Sequence, residues 1–245
     1  MSGIRITDVG DTAFNVEFGD VIDPIIHAKV MGLCHGIHRV RDNGGMVGLM
    51  EVVPTFRSLL ISYDPLMTSR TALQAEAMAL AEAGGEAPAV AGRHWRIPVC
   101  YDDDLGPDLQ EVCRVCGLDR DALIALHSGA AFFVYMLGFM PGFAYMGGVP
   151  ERLHLPRKAS PRLKVPAGSV AIAESFGAVY PWDSPGGWHL LGRTPVVFFD
   201  LGRQSPALLA AGDHVAFQAI DRARYEAACR DPALVAPERL LAGGE

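Results

Sequence analysis

Between Gly138 and Thr194, glycine and proline recur at such short intervals that no long helix can run through the segment. It reads GFMPGFAYMGG, then PRKASPRLKVPAGSVAIA, then YPWDSPGGWHLLGRTP. Each glycine or proline selects a special backbone geometry, so what remains possible is short strands joined by tight turns. From Ala131 to about Ile220, short apolar runs alternate with such turns, which predicts a closed or sandwich-like β domain. The run from Phe132 to Val149 is apolar enough to resemble a membrane span. However, Pro141 and the glycines at 138, 142, 147 and 148 would leave backbone groups unpaired in lipid. It reads as a buried strand running into a loop, with no membrane partner expected.

The first ninety residues follow a different rhythm. Ile4–Thr7 and Ala13–Phe18 alternate in polarity around Gly10-Asp11, as a hairpin does. Asp23-Pro24 supplies an N-cap and a first-turn proline, and Ile26, Val30, Leu33, Ile37 and Val40 then share one helical face. Strand candidates at Val47–Val53 and Ser58–Tyr63 precede a second helix, roughly Ser69–Ala83, stopped by Gly84-Gly85. The order predicts an open sheet with helices on one face, an α+β layer. The Gly- and Ala-rich run from Gly84 to Gly92 reads as a linker, so the expected domains are 1–92, small α+β, and 93–235, mainly β. The second opens with a strand at His94–Tyr101 and two short helices, Pro107–Cys116 and Asp119–His127.

A net charge of −7 excludes a sequence-independent nucleic-acid binder, which needs clustered cations on one face. Any anion site must be local. The N-terminal residues carry no apolar core of signal-peptide length, and five cysteines without scaffold density fit a reducing compartment, so cytoplasm is expected. Cys113 and Cys116 have metal-pair spacing, but no second pair follows, and two cysteines on a packed helix is the better reading. There is no Walker A pattern or dinucleotide fingerprint, so a nucleotide site must be non-standard or shared with a partner. There is also no biotin attachment site: after Glu76-Ala77-Met78, Ala79 stands where the acceptor lysine belongs.

Candidate site residues lie in the glycine- and proline-rich segment. Arg157, Lys158, Arg162 and Lys164 put four cations into eight residues. Arg157 and Arg162, each directly after a proline, suit a small anionic substrate or a phosphoryl group. Gly168-Ser169 offers small-residue amides and a hydroxyl for an oxyanion, although Ala167 and Ala171 replace the outer glycines of a nucleophile elbow. Ser184, Gly187 and Trp188 form a small turn beside an indole, with Arg193 placed to orient the loop or substrate. Tyr180 and His127 are candidate proton carriers, the latter with helix C-terminal capping as its alternative.

These three strings, with Gly106-Pro107-Asp108-Leu109, Leu126-His127-Ser128 and VPTFRSLLISYDP, resemble the blocks of the 5-oxoprolinase B-subunit family over nearly the whole chain. Relatives are also labelled allophanate hydrolase subunit 1 or kinase-inhibitor-like. The resemblance implies an α+β N-terminal domain and a cyclophilin-like barrel. It also implies partner subunits C and A and ATP-driven opening of 5-oxoproline to glutamate at a composite site. Two rival functions stay open, a carboxyltransferase-like component of urea degradation and a non-catalytic inhibitor of a sensor histidine kinase. One departure stands out: Glu174-Ser175-Phe176-Gly177-Ala178 replaces a Gly-Gly-Gln-Thr-Gly stretch, so that Phe176 and Gly177 stand where Gln and Thr are usual.

Overall fold

The computed structural model describes residues 3–84, 92–235 and 238–240. Most of the linker expected over Gly84–Gly92 lies outside them. The chain divides into two compact units, Met1–Val90 and Ala91–Glu245.

The first unit contains β1 (Arg5–Val9), β2 (Ala13–Glu17), α1 (Pro24–Asp42), β3 (Leu49–Pro54), β4 (Ser58–Tyr63) and α2 (Arg70–Glu82). Its four strands form an antiparallel sheet in the order β1-β2-β4-β3. Asp23 caps α1 by accepting from the amides of Ile25 and Ile26, with Pro24 in the first turn, and Ser69 caps α2 through the Ala72 amide. Phe14, Val16, Leu59 and Ile61 from the sheet meet Val30, Leu33 and Ile37 of α1 and Leu73 and Ala77 of α2 in one apolar cluster.

The second unit begins with β5 (His94–Cys100), α3 (Leu109–Cys116), α4 (Arg120–Ser128), β6 (Ala131–Leu137) and β7 (Ala144–Gly147). It continues with β8 (Arg162–Val165), β9 (Ser169–Ala173), β10 (Phe176–Val179), β11 (Ser184–Gly186), β12 (His189–Arg193) and β13 (His214–Ile220). α5 (Arg222–Arg230) and β14 (Glu238–Leu240) follow. Seven strands run in the order β12-β9-β10-β7-β6-β13-β5, and the pairing of Arg193 with Cys100 closes β12 onto β5, making a barrel. β14 adds to β5 outside that ring. Of the two β architectures the sequence allows, the closed one is found.

Alternation along the strands sends Trp95, Ile97 and Val99, Phe132 and Val134, Val170 and Ile172, and Val215 and Phe217 into one core. Leu109 and Val112 of α3 and Leu123 of α4 join that core. Cys113 and Cys116 are on α3, partly buried against it.

Two local readings change. The apolar run after Phe132 is two strands rather than one, folded back through Gly138–Phe143, where Phe139 (φ 69°) and Gly142 (φ 82°) take left-handed backbone. α5, capped by Asp221, follows the last barrel strand where no helix was expected. Among the described residues no helix is long and apolar enough to cross a membrane.

Candidate functional site

β9 is buried along its whole length. Its Val170 and Ile172 face the barrel core, while Ala171 and Ala173 belong to a second cluster with Phe143, Val165, Ala178, Tyr180, Trp188 and Leu190. The wall of the barrel therefore carries apolar packing on both sides. Over the outer side, β8 and β11 form a separate two-stranded ribbon.

Between this ribbon and the Gly138–Phe143 turn opens a cleft of about 380 Å³. Aromatic side chains dominate its lining: Phe139, Phe143, Tyr145, Tyr180 and Trp188, with Arg157 and Lys158 at the edge. Phe143 meets the rings of Tyr145, Tyr180 and Trp188 edge-on at 5.0, 5.2 and 5.8 Å between centroids. Glycine is required at 186, because a Cβ there would lie 2.4 Å from the Tyr180 hydroxyl oxygen. Burial pushes the pKa of that hydroxyl up to about 12. At neutral pH the hydroxyl of Tyr180, a residue only 1% exposed, is thus uncharged and keeps its proton to donate.

The cations are held from beneath. Asp108, 2% exposed, accepts from Lys158 Nζ at 2.9 Å, Arg162 Nη2 at 2.5 Å and the Leu190 amide at 2.8 Å. Burial alone would raise this carboxyl, but the hydrogen bonds from Arg162, Leu190 and Lys158 outweigh it and hold the pKa below the usual range. Lys158 also binds Glu111 at 2.9 Å, and Lys164 binds Asp183 at 2.8 Å. Of the four cations, Arg157 differs. Its side chain is 61% exposed, lies 3.9 Å from Glu174, and sets its guanidinium carbon 6.0 Å from the Trp188 ring centroid. The cleft accordingly offers one loosely paired cation, with Glu174 3.9 Å away, and one neutral donor within aromatic walls.

The structure brings Arg157, Tyr180, Gly187 and Trp188 together in this cleft. Other expected roles need correction. Arg162 gives its Nη2 to Asp108, while its Nη1 is buried without a partner and the residue does not line the cleft. The Gly168 amide donates to the Tyr180 carbonyl and the Ser169 amide to the Pro166 carbonyl, so neither is free to hold an oxyanion. Gly168 is needed for its backbone, with φ 79° and the Thr194 carbonyl 2.4 Å from where a Cβ would sit. Ser169 is fully buried in β9.

His127 is sealed inside the unit. Its Nδ1 lies 2.8 Å from the Tyr101 hydroxyl, its ring stacks on Phe217 at 5.0 Å, and desolvation lowers its pKa to about 3. It is a neutral core residue, not a proton carrier. The Ser184 hydroxyl is buried without a partner, and Arg193 interacts with Tyr225 of α5; neither lines the cleft.

Four contributors escaped sequence reasoning. Asp108 read as a helix-start residue, yet it makes no capping bond and turns its carboxylate to the cations. Phe143 and Tyr145 stand two apart, a spacing that could have marked them as neighbours along one strand edge, and Phe139 gave no signal beyond its glycine-rich surroundings.

The model of the carboxyltransferase domain, subdomain C and D, matches residues 4–209, which makes this a carboxyltransferase-type domain protein. The chain is 36% identical over 237 residues to the 5-oxoprolinase B subunit of Bacillus subtilis (strain 168), covering 91% of this chain and 95% of that one. It belongs to the 5-oxoprolinase B-subunit family. The solved protein TTHA0988 is similar at 37% identity and a TM-score of 0.76; the match covers 85% of this chain but only 40% of that longer one. The Kluyveromyces lactis urea carboxylase shares the fold, with a TM-score of 0.74 at 22% identity over 97% of this chain and 24% of its own.

Proposed function

We propose that the chain is the B-type subunit of a cytoplasmic, ATP-dependent 5-oxoprolinase, and that its barrel, of cyclophilin-like type, holds the lactam ring in the aromatic cleft. The observation that carries this reading is the pairing of Arg157 with Tyr180 in one cleft. Arginine suits a carboxylate and a neutral phenol suits a carbonyl oxygen, while flat aromatic walls suit a small ring. A five-membered lactam bearing one carboxylate presents those three features.

A lactam is a poor electrophile. Transfer of the terminal phosphoryl group of ATP to its carbonyl oxygen, with departure of ADP, activates the ring carbon. Water attack there then breaks the C–N bond as the nitrogen takes a proton, leaving glutamyl phosphate, and a second water cleaves that acyl phosphate to glutamate and phosphate. Tyr180 would donate to the oxygen as charge develops, and Arg157 would hold the ring carboxylate. The nearby Lys158, Arg162 and Lys164 are already ion-paired, which leaves little charge to receive a triphosphate. Cations from partner subunits C and A would complete the nucleotide site.

The test is ATP-dependent glutamate release from 5-oxoproline by the chain alone and mixed with its neighbouring subunits. Release is expected only from the mixture. Arg157→Ala removes a charged hydrogen bond worth about 1.5–3 kcal/mol, so kcat/KM should fall about tenfold to a hundredfold. Undiminished turnover in that variant, or no release from any combination, would overturn the proposal.

A further inference from the structure

Glu174 occupies the turn between β9 and β10 with φ 55°, left-handed backbone that disfavours every side chain relative to glycine. Its amide donates to the Leu155 carbonyl at 2.5 Å, stitching the turn to the strip that leads into Arg157. Its carboxylate lies 3.9 Å from Arg157 Nε, with the two side chains 59% and 61% exposed. A bulky residue held at such a φ persists where its surroundings over-determine it, and these positions cluster at ligand sites. Two residues on, Phe176 packs against the cluster of Phe143, Tyr180 and Trp188 that floors the cleft.

We propose that Glu174 is a specificity-determining residue, an internal carboxylate that competes for Arg157 and shifts the cleft's preference toward cyclic amides whose carboxylate is masked. The substrate class is then a 5-oxoprolyl amide or a pyroglutamyl chain end rather than the free acid alone. This rests on the lactam reading of the cleft. With Glu174 in place, Arg157 and its neighbour sum to zero charge. A free acid adds an unmatched negative charge beside Glu174, whereas a neutral amide adds none. Phe176 adds apolar bulk beneath the same wall, consistent with a less charged ligand.

The experiment is calorimetric titration of the full chain, in complex with its partner subunits, with two probes: 5-oxoproline and 5-oxoprolinamide. Glu174→Gln keeps the side-chain length and the backbone constraint but removes the charge; Glu174→Gly removes the side chain and relieves the backbone. An exposed pair at this distance is weak, so both variants should tighten the acid by about two- to fivefold. The amide should be unaffected, and the gain should shrink as salt rises. Equal shifts for acid and amide, or no shift for either, would overturn the role of Glu174. Arg157→Ala run alongside separates the two ideas. If it weakens the acid while Glu174→Gln does nothing, only the role of Glu174 falls; if it moves neither probe, the lactam site is elsewhere and both fall.

Discussion

Replacing Asp108 by Asn tests whether the strip over the cleft is held by a buried charge. The carboxylate side chain is 3% exposed and accepts three hydrogen bonds, from Lys158, Arg162 and Leu190. An Asn amide has one acceptor oxygen and must turn its NH₂ toward a donor, so at least one bond becomes a donor–donor clash. Breaking one side of a buried ion pair costs about 3–5 kcal/mol. Here Lys158 and Arg162 keep 21% and 27% of their side chains exposed, and Lys158 retains Glu111, which places the expectation near the lower end, at about 3 kcal/mol. All three tryptophans, Trp95, Trp182 and Trp188, belong to the second unit, so fluorescence during a urea titration reads that unit alone. With a urea slope of about 2 kcal/mol per molar, the midpoint should drop by about 1.5 M at pH 7. The pH dependence has a definite sign. Because the folded-state pKa of Asp108 is depressed, its contribution is complete above the unfolded carboxyl value of about 3.9 and is lost as pH falls through the lower folded value. The gap between wild type and variant should therefore close in acid. An unchanged midpoint at neutral pH, or a gap that widens in acid, would refute the reasoning.

Two further outcomes follow from the same geometry. His127→Phe should leave turnover intact and flatten the acid limb of stability: the buried imidazole has its pKa lowered to about 3, so in the wild type stability declines as pH falls from the unfolded value of about 6.5, and urea midpoints across that range check it. Gly186→Ala should push the Tyr180 ring away from its seat, since the added Cβ would meet the hydroxyl at 2.4 Å; binding of 5-oxoproline should weaken at least about tenfold while circular dichroism stays native, and full binding would remove Tyr180 from the ligand-contacting set.

Much of the fold was legible because its signals are local. Asp23-Pro24 and Ser69 mark helix starts through bonds to amides two or three residues on, and glycine and proline mark strand ends by backbone geometry alone. The cleft was half legible. Turn density pointed to the right segment, and Arg157, Tyr180, Gly187 and Trp188 do share a cleft. Arg162, Gly168, Ser169 and His127 stand outside that cleft for one physical reason: where a polar group finds its partner is decided by tertiary neighbours. Asp108 lies 54 residues before Arg162, and no pattern within either segment declares that they meet. Likewise the Gly168 amide finds its acceptor at Tyr180, across the β9–β10 hairpin.

The doubly buried β9 strand ties the tuning of ligand recognition to the integrity of the barrel. Ala171 and Ala173 turn outward while Val170 and Ile172 turn inward, with no spare layer between them. A larger residue chosen to reshape the ligand's bed would have to lift the aromatic rings above it or bow the strand into the interior. Variation in what this domain recognises should therefore gather in the rim, at the turn around Phe139, the strip around Arg157 and the bend at Glu174, while the small alanines beneath stay as they are.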